Sequence, residues 1–317
     1  PYAREFLFYL LPGMALTNLC YSFNNMMRAS GYPQKAMITM LIGAVMNVIL
    51  DPIFIFWFKM GIKGAAIATV ISMAVSTVFV MYHFIGKESW IRFHKHSFRL
   101  QGQIIRNIVS IGMSPFLMNL AACFIVIFIN KGLKEYDGDL AIGAFGIVNR
   151  IVFLFVMIVM GLNQGMQPIA GYNFGAKLYG RVNKVLRLTI IYATAVTTFG
   201  FLVGMLVPDL VVGIFTSDAE LTELSVTGLR ITVMFFPIIG FQMVTSNFFQ
   251  SIGMAGKAIF LSLTRQMLIL LPCLLVLPQF FGVAGVWYSM PVSDLLASLI
   301  ALVMLVCQFR KFRTSPL

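Results

Sequence analysis

The residues of this sequence best placed to do chemistry are an asparagine and an aspartate one helical turn apart. Asn47 and Asp51 belong to the segment MNVILDP at residues 46–52, inside an apolar run from residue 36 to residue 58. That run is long enough to cross a bilayer, where an ionised carboxylate at a helix centre costs about 2.5–3.5 kcal/mol. A carboxylate in that place needs a proton, a cation or a polar cavity as its partner.

Two neighbours of Asp51 add oxygen atoms that suit such a partner. Asn47 places an amide oxygen on the same helix face, and Pro52 has no N–H to donate to the carbonyl of Val48. Carboxylate, amide and carbonyl oxygens together favour a proton or a hard cation. A capped helix end is the alternative interpretation, because Asp-Pro often begins a turn.

The composition indicates a membrane protein. The chain has 317 residues, 59% of them hydrophobic, a mean hydropathy of +0.90 and only 11% charged residues, against about 25% charged in soluble domains. Crossing a bilayer takes about 20 apolar residues, and nine runs reach that length. We therefore predict an all-α polytopic protein of the cell membrane. The runs lie near residues 6–27, 36–58, 64–85, 105–130, 140–168, 185–214, 226–250, 258–279 and 283–307.

The net charge of +12 could suggest a nucleic-acid partner, but its distribution indicates membrane topology instead. The gaps between runs alternate: one side carries fifteen bases and one acid, and the other five bases and eight acids. Cytoplasmic loops are enriched in Lys and Arg. We therefore expect a cytoplasmic C-terminus, an outside position for residue 1, and a further crossing or a cleaved leader before it. No nucleic-acid partner is expected.

The chain repeats itself at a spacing of about 222 residues. The segment GYPQKA at residues 31–36 is similar to GMAGKA at 253–258, and GIKGA at 61–65 is similar to GVAGV at 282–286. Spans one to three thus match spans seven to nine in the same orientation. We predict two pseudo-repeated helical bundles, the first incomplete; chance similarity of the loops is the alternative. The predicted divisions are a half bundle at 1–85, a basic cytoplasmic linker at 86–106, a complete six-helix bundle at 107–309 and a tail at 310–317.

Several segments resemble one family of transporters. The segment GLNQGMQPIAGYNFGA at residues 161–176 resembles the end of the eighth helix of multidrug and toxic compound extrusion (MATE) transporters. RASGYP at 28–33 and the Asn47-x3-Asp51-Pro52 pattern resemble their fourth and fifth helices, and WYSMPVSD at 287–294 their twelfth. The resemblance implies helices four to twelve of twelve, so that three more helices would precede residue 1.

The resemblance is to the DinF or MepA branch of that family. In that branch an asparagine and an aspartate of helix five, a threonine of helix six and an aspartate of helix one bind the coupling cation. Asn47, Asp51 and Thr69 match the first three, and the helix-one aspartate would lie upstream. The NorM branch carries acids in helices seven and ten, whereas residues 107–130 and 228–250 contain none. The coupling ion is H⁺ or Na⁺, with Na⁺ at Asp51 in the second case, and no other cofactor is expected.

Other polar residues within the spans have two interpretations each. Asp294 is either a second proton carrier or the structural partner of Arg265. Aromatic and thioether groups suit apolar cations, but a Phe or Met stripe at helical spacing is more often plain packing. The candidate residues of a substrate cavity are Asn119, Asn149, Phe153, Met157 and Gln164.

These observations predict an antiporter. A cation entering through the Asp51 site would drive export of lipophilic, mostly cationic drugs or other toxic organic compounds by alternating access, in a monomer surrounded by membrane lipids. Motifs of metalloproteases, α/β-hydrolases and P-loop nucleotidases are absent from the sequence, so we do not expect an enzyme. A flippase of lipid-linked oligosaccharides is the alternative within the same superfamily, and an ion channel is a third class.

Overall fold

The computed structural model describes residues 2–86, 89, 91 and 100–314, and almost all of these residues are helical, with no strand among them. Most of the predicted basic linker lies outside the described residues. The long helices are α1 (Tyr2–Ala29), α2 (Pro33–Pro52), α3 (Gly61–Ile85), α4 (Gly102–Lys134), α5 (Gly138–Gly175), α6 (Tyr179–Leu206), α7 (Ala219–Val233), α8 (Phe236–Ser251), α9 (Ala255–Leu263), α10 (Leu271–Phe281) and α11 (Val283–Thr314).

The described residues contain eight helical segments long and apolar enough to cross a membrane. A ninth is formed if α7 and α8, which meet at an angle of 54°, are counted as one bent span. The predicted set of nine spans and the all-helical fold class are confirmed. Two π-helical turns, Ile53–Trp57 and Thr264–Leu270, continue α2 and join α9 to α10.

One predicted span is displaced along the chain. The sixth run was expected at residues 185–214, but α6 begins at Tyr179 and ends at Leu206. Pro208 starts a separate six-residue helix that ends at Gly213. A proline disfavours helical backbone in the residue before it, which explains the break within a continuous apolar run.

Large apolar side chains cover the outside of the helices. Phe8, Val48 and Tyr82 are 71%, 71% and 75% exposed. In water such exposure would be costly, whereas in a bilayer the lipid tails solvate these groups as well as a protein core would. The exposed surface is therefore that of a membrane protein.

The chain divides into two compact units, residues 1–101 and residues 102–317, called here the N-terminal unit and the C-terminal unit. In the N-terminal unit α1 and α2 both pack on α3, and Met27, Ala36, Val80 and Phe84 form part of a small buried cluster. The C-terminal unit has a much larger apolar core to which most of its helices contribute. The predicted domain boundaries remain a prediction.

The internal repeat is visible in the backbone. Gly31 and Gly253 have φ values of 90° and 76°, and Gly61 and Gly282 have values of 55° and 57°. After each glycine of the first pair, the next N–H bonds to the carbonyl five residues earlier, at 3.0 and 2.9 Å. This is the arrangement that ends a helix through a left-handed residue, and glycine adopts it at little cost.

A second pair of matched glycines allows close helix contact. A β-carbon on Gly64 would come within 2.6 Å of the carbonyl oxygen of Phe54, and one on Gly285 would overlap the carbonyl oxygen of Leu277. Both positions follow a tight connection between two helices of the repeat. The two copies therefore share backbone geometry as well as sequence, which supports the predicted pseudo-repeat.

Candidate functional site

The three residues of the predicted cation site lie together between α2 and α3. The amide Nδ2 of Asn47 donates to Oδ1 of Asp51 at 3.2 Å and to Oγ1 of Thr69 at 3.3 Å. Thr69 Oγ1 in turn donates to the carbonyl of Ala65 at 2.8 Å. All three side chains are partly buried. We call Asn47, Asp51 and Thr69 the Asp51 cluster.

The backbone on both sides of Asp51 is helical. The helical backbone continues past Pro52 through the π-helical turn Ile53–Trp57. The N–H of Ile53 donates to the carbonyl of Leu50, and Pro52 has no N–H to donate to the carbonyl of Val48. Asp51 therefore lies in the last turn of α2, at a point where the backbone continues into a π-helical turn and not into a loop.

A cavity of about 250 Å³ adjoins the cluster inside the N-terminal unit, and Asn47 and Thr69 form part of its wall. Asp51 lies one helical turn further along α2, bonded to Asn47. Sequence reasoning missed the other hydroxyl groups of the wall, although the spacing of Thr69, Ser72 and Ser76 on one face of α3 indicates them. These additional hydroxyl residues are Thr17, Tyr21, Thr39, Ser72 and Ser76.

The atoms of the Asp51 cluster can serve either a proton or a monovalent cation. The amide of Asn47 donates to the carboxylate of Asp51. The Thr69 hydroxyl gives its hydrogen to Ala65 and so keeps its lone pairs for an incoming ligand. Turning the Asn47 amide would present Oδ1 beside the carboxylate, a set of oxygen donors that suits a hard cation. No group of three His, Cys, Asp or Glu side chains able to hold a metal occurs in the described part of the chain.

Asp294 forms an ion pair in the C-terminal unit. Its Oδ1 lies 2.6 Å from Nε of Arg265, and the two side chains are 4% and 28% exposed. Arg265 belongs to the π-helical turn Thr264–Leu270, and Asp294 to α11. Of the two interpretations of Asp294, this direct contact supports the structural pair with Arg265.

The ion pair lies in the wall of a cavity of about 220 Å³ within the C-terminal unit. The predicted substrate residue Asn149 is in the same wall, together with the aromatic rings of Phe145 and Phe236. An amide, an ion pair and aromatic surface therefore meet in one space. Such a mixture is typical of small-molecule sites, where mostly apolar walls carry a few polar groups.

A second cavity, of about 230 Å³, is rich in side-chain amides, and we call it the amide cavity. It contains the predicted substrate residues Asn119 and Gln164, and it shares Arg265 and Gln266 with the first cavity. The other amide side chains of its wall were not predicted as substrate residues. They are Asn163, Gln167, Gln242, Asn247, Gln250 and Gln266.

Asn163 is the most informative residue of the amide cavity. It is 3% exposed, and neither its amide nitrogen nor its oxygen has a hydrogen-bond partner among the described residues. Burying an amide without partners is costly, so water or a bound molecule is needed to satisfy it. The density of Asn and Gln between residues 163 and 173 was the sequence signal for this surface.

Two predicted substrate residues do not reach either cavity. Phe153 and Met157 are 50% and 54% exposed, and neither contributes to the two walls. Both side chains lie on the outer surface of α5 within the C-terminal unit. Their role in a substrate site therefore stays a prediction.

The described residues therefore define an all-helical polytopic membrane protein with a duplicated helical motif and polar cavities buried in it, an architecture used by secondary transporters. A family model described as MatE matches residues 110–275, more than half of the chain, and the chain belongs to this family. Members of the family are transporters, in agreement with the prediction that the chain is not an enzyme.

Relatives among curated proteins are multidrug exporters. The chain is 29% identical over 275 residues to the multidrug export protein MepA of Staphylococcus aureus strain MSSA476 and 28% identical to MepA of Staphylococcus saprophyticus. Each alignment covers 87% of this chain and 60% of the relative. The chain thus spans about three fifths of the length of the curated relatives it matches.

Solved structures give the same result. The MATE multidrug transporter DinF-BH, in complex with rhodamine 6G, is 36% identical with a TM-score of 0.89, over 99% of this chain and 70% of that one. A MOP superfamily transporter from Pyrococcus furiosus is 22% identical with a TM-score of 0.92, which shows the fold alone. The predicted resemblance to the DinF and MepA branch is confirmed, and the flippase alternative is not favoured.

Proposed function

We propose that this chain carries the cation site and part of the substrate path of an antiporter that exports small lipophilic organic molecules against an inward flow of H⁺ or Na⁺. The observation that supports this most is the Asp51 cluster, in which a carboxylate in an apolar helix meets an amide and a hydroxyl. A carboxylate within a membrane span is costly, and an ion-coupling role accounts for its presence.

Binding of the coupling ion at Asp51 changes the contact between α2 and α3. In the unloaded cluster, Asn47 bonds both Asp51 on its own helix and Thr69 on the neighbouring one. A proton on Asp51 removes the charge that the amide stabilises, and Na⁺ requires the amide to turn its oxygen inward. A proton therefore weakens the Asn47–Asp51 hydrogen bond, and Na⁺ also removes the Asn47–Thr69 bond between the helices. In both cases the position of the Asn47 side chain between α2 and α3 depends on the ion.

This dependence is what coupling requires. A ligand shifts a conformational equilibrium only by the difference between its affinities for the two states, and the coupling acts equally in both directions. An ion that favours one arrangement of α2 and α3 therefore disfavours the arrangement in which substrate binds tightly. Each charge that moves inward gains about 2.3 kcal/mol per 100 mV of membrane potential.

The substrate class follows from the relatives and from the cavities of the C-terminal unit. The relatives are named multidrug exporters, and DinF-BH was solved with rhodamine 6G. In this chain Asn149, Asn119 and Gln164 bring hydrogen-bonding groups to cavities with apolar walls. Apolar walls of this kind bind many flat, lipophilic molecules, and a few hydrogen bonds fix the orientation of the bound molecule.

The topology forms part of the same proposal. The fifteen-base side of the membrane is the cytoplasmic side, and the C-terminus after α11 lies there. The protein acts as a monomer in the cell membrane, with its helices in direct contact with lipids. The proposal includes the division of the chain into a half bundle that ends at residue 85 and a complete six-helix bundle that begins at residue 107.

Asp51→Asn tests the proposal, because it removes the charge and almost preserves the shape. In everted vesicles energised by an ion gradient, the variant is expected to lose ion-driven accumulation of rhodamine 6G while its binding of the dye in detergent persists. The exposed acid Glu223 on α7 offers a matched control. Glu223→Gln removes one carboxylate charge and should leave transport unchanged.

The outcome that contradicts the proposal is equally clear. Transport by Asp51→Asn at the wild-type rate, still driven by the ion gradient, would assign the coupling to another residue, with Asp294 the next candidate. Repeating the assay with a Na⁺ gradient alone and then a pH gradient alone identifies the coupling ion in the wild-type protein.

A further inference from the structure

A groove of about 610 Å³ opens in the C-terminal unit between the start of α6 and the end of α11. It shares no wall residue with any of the three cavities described above. One rim is formed by Tyr179, Asn183 and Arg187 of α6, and the other by Phe309 and Arg310 of α11.

The groove has a positive rim, and no acid lies on α6 or on the part of α11 after Asp294. Arg187 and Arg310 are both exposed, and both line the groove. The sequence contains no Asp or Glu from residue 140 to residue 208, or from residue 295 to residue 317. Two guanidinium groups in such a basic stretch favour an anionic ligand, and the planar fork of Arg suits phosphate in particular.

The part of the groove beyond the two arginines is apolar. Ile190 and Ile191 continue the wall along α6, and Val306 lies one turn before Arg310 on α11. Ile191 and Val306 are 52% and 43% exposed, so an acyl chain can reach them from the lipid. From Arg187 to Ile191, at a rise of about 1.5 Å per residue, this apolar track is about 6 Å long. It therefore contacts the first part of an acyl chain, within a leaflet about 15 Å deep.

We infer that this groove binds one anionic phospholipid, drawn from the leaflet at this end of the C-terminal unit. The phosphate bonds Arg187 and Arg310, and an acyl chain lies along Ile190, Ile191 and Val306. A free phosphate would use only the rim, and an uncharged amphiphile only the track. The groove combines both in the order in which a phospholipid presents them, with the charge at the membrane surface.

Native mass spectrometry of the purified chain tests this inference. The chain is released from detergent after titration with phosphatidylglycerol or with phosphatidylcholine of the same acyl chains. Phosphatidylglycerol is expected to bind more than about tenfold more tightly, as two basic residues at an anionic headgroup imply. The double variant Arg187→Gln/Arg310→Gln should bring its affinity down to that of phosphatidylcholine.

The matched control is Arg181→Gln/Lys184→Gln. These two bases are exposed on the first turns of α6 but do not line the groove, and their removal should change phosphatidylglycerol affinity less than about twofold. An equal loss in the control and in the groove variant would overturn the inference, because general surface charge would then explain the binding.

A variant of the apolar track keeps both arginines and so separates a lipid from a phosphate. Ile191→Trp fills the groove and should weaken phosphatidylglycerol binding by about the same factor as the arginine pair. Inorganic phosphate at the same concentration should not compete with the lipid. Competition by inorganic phosphate, or unchanged lipid binding in Ile191→Trp, would contradict the inference, as would equal affinity for the two lipids in the wild-type chain.

Discussion

The two copies of the internal repeat have the same glycine geometry but opposite chemistry at the Asp51 position. In the first copy Asn47, Asp51 and Thr69 are bonded to one another. At the repeat spacing of 222 residues, Asn47 and Asp51 correspond to Ile269 and Cys273. The second copy therefore has no carboxylate where the first has its candidate cation site.

The reverse holds for the ion pair of the second copy. Arg265 corresponds to Gly43, and Asp294 corresponds, with the one-residue shift after the second anchor, to Met73. Gly43 and Met73 both line the cavity of the N-terminal unit, as Arg265 and Asp294 line a cavity of the C-terminal unit. Equivalent positions of the repeat therefore carry uncharged residues in the first copy and a salt bridge in the second.

This difference separates two uses of a carboxylate in a membrane protein. Asp294 is almost fully buried and held by a guanidinium at 2.6 Å, so a change in its charge would leave Arg265 unpaired. Asp51 is only partly buried and is held by a neutral amide at 3.2 Å, so no buried charge depends on it for a partner. The repeat thus duplicates the backbone, whereas each copy carries its intramembrane carboxylate at a different position and with a different partner.

The largest effect on stability should come from breaking the ion pair. Asp294→Leu leaves a partly buried guanidinium without its partner, and the free energy of unfolding should fall by about 3–5 kcal/mol. Unfolding in detergent, followed by circular dichroism, measures it. The double variant Arg265→Met/Asp294→Leu should recover most of the loss, whereas Asp51→Leu should change stability much less. A larger loss in Asp51→Leu would invert the comparison.

The matched glycines should respond alike in the two units. Gly64→Ala and Gly285→Ala each place a β-carbon against a main-chain carbonyl that cannot turn away, and each should lower the free energy of unfolding by about 1–3 kcal/mol. Gly146 has open space around its ideal β-carbon, so Gly146→Ala should be neutral or stabilising. If only one of the matched pair is destabilising, the two copies differ in backbone as well as in charge.

Within the Asp51 cluster, the amide should matter more than the hydroxyl. Asn47→Leu removes a donor to a carboxylate, a bond to a charged group of about 1.5–3 kcal/mol, and should change the apparent affinity for the coupling ion by about tenfold or more. Ion-dependent quenching of tryptophan fluorescence measures the affinity. Asn18, an exposed amide of α1 bonded within its own helix, provides the control variant Asn18→Leu, which should not alter it.

The smallest effect is expected at Thr69. Thr69→Val keeps the shape and removes the hydroxyl that Asn47 bonds at 3.3 Å. Its loss should cost about 1 kcal/mol, a few-fold change in ion affinity in the same fluorescence titration. Thr69→Ser should restore the wild-type value. Thr245 bonds only its own helix at 2.8 Å, and Thr245→Val should leave ion affinity unchanged. Equal effects at both threonines would remove Thr69 from the site.

The sequence alone determined the spans and half of the site. About 20 apolar residues in a row can only be a membrane helix or a buried core, and the low content of charge decided for the membrane. Asn47 and Asp51 had to share a face because the helical period puts residues four apart on the same side. Thr69, on another helix, followed from the resemblance to a family and not from spacing.

Only the tertiary structure decided which apolar faces line cavities and which carboxylate is paired. Phe153 and Met157 have the spacing of a packed stripe, yet both are exposed within the C-terminal unit. An apolar face has the same spacing whether protein or lipid covers it. The partner of Asp294 is 29 residues away in sequence, and the unpaired amide of Asn163 is defined by what surrounds it. Contacts between helices depend on how the helices pack, and local periodicity carries no information about that.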